Sequence, residues 1–178
     1  MANKNLHKIS EITKMEIIKN IFITYNSMSE VEESTALRLQ TLSNLYGFSV
    51  SLPYRTKLTS TANNETKLRI RNAQFVLAFC LNRLTKTLKE ELKYSKSINK
   101  PIIIIYDKKR GKRVKFGDNI NVKEIFIDFH NTDKALHQIA EFLKNVSGRA
   151  RTTESSLGVA LIGIGLGLLA LHVLSNNK

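Results

Sequence analysis

Apolar residues fall in short blocks along the chain, separated by stretches with helical spacing. Ile21–Tyr25 (IFITY), Phe48–Leu52 (FSVSL), Phe75–Cys80 (FVLAFC), Ile102–Tyr106 (IIIIY) and Ile125–Phe129 (IFIDF) are near-continuous runs of strand length. Continuous rather than alternating apolarity marks strands buried on both faces, and therefore a parallel sheet between helical layers. Ser29 followed by Glu32 reads as a capping box, opening a helix that buries Leu39, Leu42 and Tyr46 and stops at Gly47. A shorter helix is predicted over about Glu65 to Ala73. A third covers roughly Thr85 to Ile98, with Leu84, Leu88 and Leu92 at four-residue steps, and ends before Pro101, which cannot continue it. A fourth follows Asn131 or Thr132, with Leu136, Ile139, Ala140 and Leu143 inward.

This order of elements predicts an α/β fold with a five-stranded parallel, doubly wound sheet of flavodoxin-like strand order 2-1-3-4-5 over residues 20–146. In such a sheet ligands bind where the strand order reverses, between strands one and three. That crevice is bounded by Asn26, Ser27 and Met28 after the first strand and by Leu81 to Lys86 after the third.

The run Leu157 to Leu174, LGVALIGIGLGLLALHVL, carries no formal charge and follows Arg149 and Arg151. As a helix it would extend about 27 Å, close to the hydrocarbon thickness of a bilayer. Residues 156–174 are thus expected to form a single C-terminal transmembrane helix, after a linker at 147–155 and before a short tail at 175–178. The basic flank places the main domain in the cytosol. A buried helix in a soluble core or oligomer is the competing reading, at the cost of hiding an all-round apolar helix in a small domain. Ala160, Gly163, Gly167 and Ala170 form a smooth stripe suited to helix packing in lipid, and so to self-association. Residues 1–19 are an N-terminal extension without the apolar core of a secretory signal. Leu6, Ile9, Ile12 and Met15 suggest an amphipathic helix there.

Charge and composition narrow the function classes. The 178 residues carry a net charge of +13 and a single cysteine, Cys80. One cysteine excludes an internal disulfide framework and a cysteine-rich zinc site, and His7, His130 and His137 show no metal-ligand spacing. The densest basic cluster, Lys108 to Lys115 (KKRGKRVK), lacks an aromatic platform or reading motif for nucleic acid. Anionic lipid headgroups are the simpler partner for it and nucleic-acid binding is not expected, while a plain solvated basic loop is the competing reading. No serine elbow or glycine-rich phosphate loop is present.

One acidic residue is placed to serve the crevice. Glu91 lies three residues after Leu88 and seven after Leu84, on the border of the buried stripe, whereas Glu90 is turned away. A carboxylate at that edge suits catalysis or a ribose hydroxyl; a helix-edge charge paired with a lysine is the plainer reading.

The segment IFITYNSMSE resembles the first box of Toll/interleukin-1 receptor (TIR) domains, and EELKYSKSINKPIIII resembles the TIR pattern of a glutamate and an apolar residue before a small-residue-rich helix and an apolar strand. Glu91 falls on the glutamate used by TIR NAD glycohydrolases. The same register is similar to that of nucleoside 2-deoxyribosyltransferases, whose glutamate attacks a sugar. The likeness extends over about Asn20 to Asn145. It implies NAD or a related nucleotide as substrate rather than as cofactor, with Glu91 catalytic, Tyr25, Asn26, Ser27 and Thr87 substrate-binding, and assembly of several copies as the activating event. Arg55 and Lys57 would be placed to reach phosphates or a neighbouring subunit. The stretch PYRTKLTSTANNE lacks the signature that TIR domains often carry after the second strand, and Thr87 stands where many hydrolytic members have an aromatic. Two alternatives follow: a non-catalytic TIR-like signalling or scaffold module, and a nucleotide-sensing effector that clusters to permeabilise the membrane.

Overall fold

Strands β1 (Lys19–Thr24), β2 (Phe48–Ser51), β3 (Phe75–Cys80), β4 (Ile102–Asp107) and β5 (Val122–Ile127) form one sheet in the order β2-β1-β3-β4-β5. Every pairing is parallel. The structure is a computed structural model describing residues 19–43, 48–54, 63–109 and 121–128, together with 137, 138, 141, 162, 163, 165 and 167. Helices α1 (Glu30–Ser43), α2 (Asn64–Asn72) and α3 (Lys86–Ser97) fill the connections after β1, β2 and β3. The predicted α/β class, parallel sheet and strand order are those observed.

Alternation along the strands divides the core into two layers. Ile21, Ile23 and Tyr25 of the β1 segment, with Leu77, Phe79, Ile103 and Ile105, pack under Ala36 and Leu39 of α1. Phe22, Val76, Ala78, Ile102, Ile104 and Tyr106 pack under Ile70 of α2 and Leu88 and Leu92 of α3. β3 and the first five residues of β4 are buried throughout, which explains why their sequence shows no alternation. Burial of this apolar surface supplies the main drive for the fold.

Local signals set the helix limits. Asn63 caps α2 by accepting the Thr66 N–H, and Thr85 caps α3 by accepting the Leu88 N–H at 3.2 Å. α3 ends in a turn where Asn99 takes φ of 55°, a left-handed conformation that asparagine tolerates, and Lys100 N–H returns to the Ser95 carbonyl at 3.0 Å. Pro101 follows and β4 begins.

β5 starts at Val122, ahead of the apolar run expected from Ile125. Val122, Lys123 and Glu124 pair with Ile102, Ile103 and Ile104. They are half-buried at the sheet edge, where polar side chains can reach water while the backbone completes the ladder. In α1, Leu42 is only half-buried. Tyr46 and Gly47, the N-terminal segment, Arg55 and Lys57, and Phe129 lie outside the described residues, as do Leu136, Ile139, Ala140 and Leu143 of the fourth helix, although His137, Gln138 and Glu141 there are helical. Of the basic cluster only Lys108 and Lys109 are described, both exposed.

Within the apolar C-terminal run, Ile162, Gly163, Gly165 and Gly167 are helical. Ile162 is 1% exposed and belongs to the layer containing Leu39. A Cβ placed on Gly165 would lie 2.7 Å from Leu39 Cδ1, so the backbone there runs against α1. Gly163 is half-buried and Gly167 exposed; Ala160 and Ala170 lie outside the described residues. Among the described residues no helix is long and apolar enough to cross a membrane.

Candidate functional site at the end of β1

The strand order reverses at the C-terminal end of β1, where β1 and β3 are neighbours whose following helices lie on opposite faces of the sheet. Thr24 pairs with Ala78 of β3, so the last β1 side chain on the α3 side stands beside a residue offering only a methyl group. Into this place reaches Glu91. Its Oε2 accepts the Thr24 hydroxyl, and both side chains are buried, Glu91 being 1% exposed.

Helical spacing explains how Glu91 arrives there. Leu88, Glu91, Leu92 and Ser95 form the buried face of α3, so Glu91 sits within the stripe it was expected to border. Ser95 donates its hydroxyl to the Glu91 carbonyl at 2.7 Å. Thr87, one turn before Glu91, is half-buried.

The loop after β1 is organised by Asn26 and a second carboxylate. Asn26 is 3% exposed; its carbonyl accepts the Ser29 N–H at 2.9 Å, and its Oδ1 accepts the Met28 N–H at 3.0 Å. These bonds close an Asx turn that pushes Ser27 and Met28 outward, leaving both exposed. Tyr25 packs into the α1 layer, whereas Glu91 approaches from the α3 layer. Tyr25 and Glu91 are therefore on opposite sides of the sheet, while Thr24 joins Glu91 directly. Thr24 did not figure among the residues expected at the site, and its position one residue ahead of the Tyr-Asn-Ser loop was the available signal.

Glu32 proves to be more than a local cap. Ser29 Oγ accepts the Glu32 N–H at 3.4 Å, one half of a capping box. Ser29 N–H is given to the Asn26 carbonyl. The Glu32 carboxylate instead accepts Asn26 N–H at 2.8 Å and Leu81 N–H at 3.0 Å. It is fully buried and links the chain leaving β1 to the chain leaving β3, at the point where the strand order reverses. Its place four residues before Ala36 and seven before Leu39 marks the inner face of α1, the same kind of spacing that identifies Glu91.

Two buried carboxylates from opposite helical layers thus converge on one three-residue stretch, Glu91 on Thr24 and Glu32 on Asn26. Glu32 is a scaffold, with each oxygen engaged by a backbone donor; such charge-assisted bonds fix the spacing of the loops they join. Glu91 accepts a hydrogen bond from a rotatable side-chain hydroxyl, that of Thr24. Cys80, which precedes Leu81, is 2% exposed, and burial together with the Glu32 and Glu124 carboxylates pushes its thiol far above the ordinary range. It is therefore protonated and unsuited to nucleophilic work.

Among the described residues no group of three or more His, Cys, Asp or Glu side chains could hold a metal ion. No protein-family model matches the chain, and no curated protein matches it.

Proposed function

We propose that the chain is a membrane-anchored, TIR-like NAD glycohydrolase that releases nicotinamide, with Glu91 as its catalytic carboxylate, acting as an oligomerisation-activated effector in prokaryotic immune or stress signalling. The observation that supports it most is the burial of Glu91 against Thr24, at the end of β1 where the strand order reverses. An ionisable side chain held there has the surroundings in which an electrostatic effect on a reacting sugar is largest.

In NAD the nicotinamide ring nitrogen is positively charged. When the bond from that nitrogen to the ribose C1′ breaks, the electron pair leaves with the ring, and nicotinamide departs neutral without needing a proton. Charge develops on the sugar as an oxocarbenium-like cation, which the Glu91 carboxylate would stabilise. Water then bonds to C1′ and loses its proton to solvent. Thr24 would orient Glu91, and the Asn26 to Ser27 turn, held by Glu32, would form the margin that meets the ribose or phosphates. The Leu157 to Leu174 run supplies the anchor, with the main domain in the cytosol, and confinement to a membrane would raise the effective concentration of copies for assembly.

A non-catalytic TIR-like scaffold is the second reading. Glu91 is 1% exposed with its carboxylate engaged by Thr24, an arrangement that also suits a purely structural residue. Nicotinamide release by vesicle-bound protein, wild type against Glu91→Gln, separates the two. Loss on substitution supports the hydrolase, and absence of turnover in assembled wild-type protein supports the scaffold.

A further inference from the structure

We propose that the C-terminal apolar run has a second seat: a helix bearing Ile162 and Gly165 docks against Leu39 of α1, and it vacates that seat when the run enters a bilayer. The membrane-bound state rests on the anchor reading above; the docked state rests on the contacts themselves. Ile162 shares a buried layer with Leu39, Ile21 and Ile23. Three residues on, a Cβ at Gly165 would meet Leu39 Cδ1 at 2.7 Å, Cδ2 at 3.3 Å and Cγ at 3.5 Å. Leu39 is fully buried, so it has little room to turn aside. Glycine is what lets the two helices approach this closely.

Helical geometry separates this face from the stripe expected to pack in lipid. Ile162 and Gly165, three apart, share one side. At about 100° per residue, Gly163 and Gly167 lie on the other side, and they are half-buried and exposed respectively. The docking face and the self-association stripe are thus distinct surfaces of one helix. The two seats exclude each other, because Ile162 and Gly165 cannot lie beside Leu39 and within hydrocarbon at once. Docking gives an apolar segment a place to wait in water, and a bilayer competes for it by mass action.

The test uses the full chain carrying Leu39→Cys and Gly165→Cys, treated with diamide, which takes two electrons and two protons as the thiols join. Cys80 is buried and its thiol is pushed far upward, which keeps it out of the reaction. An intramolecular disulfide is expected in vesicle-free solution, with about a fivefold drop in its yield in the presence of phosphatidylcholine–phosphatidylserine vesicles. The oxidised protein should fail to float with vesicles until it is reduced. Flotation of wild type without any disulfide in solution overturns the docked seat alone. Equal cross-linking with and without vesicles overturns the exchange, and if wild type also fails to float the anchor reading falls with it. As a second measure that needs no cross-link, Gly165→Leu should raise flotation at limiting lipid by about threefold, and adding Leu39→Ala should reverse it. Gly167→Leu, equally apolar but with nothing within 4 Å of its Cβ, should not produce that rise. Equal behaviour of the Gly165 and Gly167 variants overturns the proposal.

Discussion

Thr24 donates its hydroxyl to the carboxylate of Glu91, joining the end of β1 to the middle of α3 through side chains that are both withdrawn from solvent. Without that donor the carboxylate would lose a hydrogen bond in a place where water cannot replace it. Thr24→Val keeps the shape and removes the hydroxyl. It should lower stability by about 1–3 kcal/mol, read from the denaturant midpoint, and should lower nicotinamide release by about tenfold. A neutral effect on both would mean that the hydroxyl neither supports nor orients Glu91.

Glu32 makes a different prediction because both of its oxygens serve backbone donors. Glu32→Gln leaves one oxygen to accept, so either Asn26 N–H or Leu81 N–H loses its partner and the variant should lose about 1–3 kcal/mol. Amide hydrogen exchange at Asn26 and Leu81 locates the effect. Faster exchange at one of these two amides is expected, and unchanged protection at both would contradict the bridging role.

Cys80 links stability to alkaline pH. Its thiol is pushed up in the folded chain by burial and then by the Glu32 and Glu124 carboxylates, so the folded state holds its proton more tightly than the unfolded state does. That contribution is complete below the ordinary thiol pKa of about 8.5, and it is lost as pH rises above that value toward the elevated folded one. Urea denaturation between pH 7 and pH 10 should show a decline that is smaller in Cys80→Ala. Thiol alkylation at pH 8 should require unfolding. Rapid labelling of the folded protein would show that the thiol is accessible.

The sheet was legible chiefly because β1, β3 and β4 carry apolar residues on both faces, and the strand order followed from connection rules. The start of β5 was not, because Val122, Lys123 and Glu124 lack the apolar signature and owe their conformation to pairing with β4. Glu91 could be placed from its distance to Leu88, although its partner Thr24 could not. Glu32 illustrates the opposite difficulty: Ser29 gave it a sufficient local explanation, and nothing local announces a bond to Leu81, 49 residues away. Ile162 and Gly165 show why an apolar run resists assignment from sequence, since lipid and a sheet face select the same residue types.

Nicotinamide release from NAD by full-length protein in phospholipid vesicles, wild type beside Glu91→Gln, bears most directly on the role of the buried carboxylate. The amide can still accept the Thr24 hydroxyl, so the fold should persist by circular dichroism and thermal midpoint while turnover falls by about 100-fold or more. Equal turnover by the two proteins, or none by assembled wild type, would contradict a catalytic Glu91.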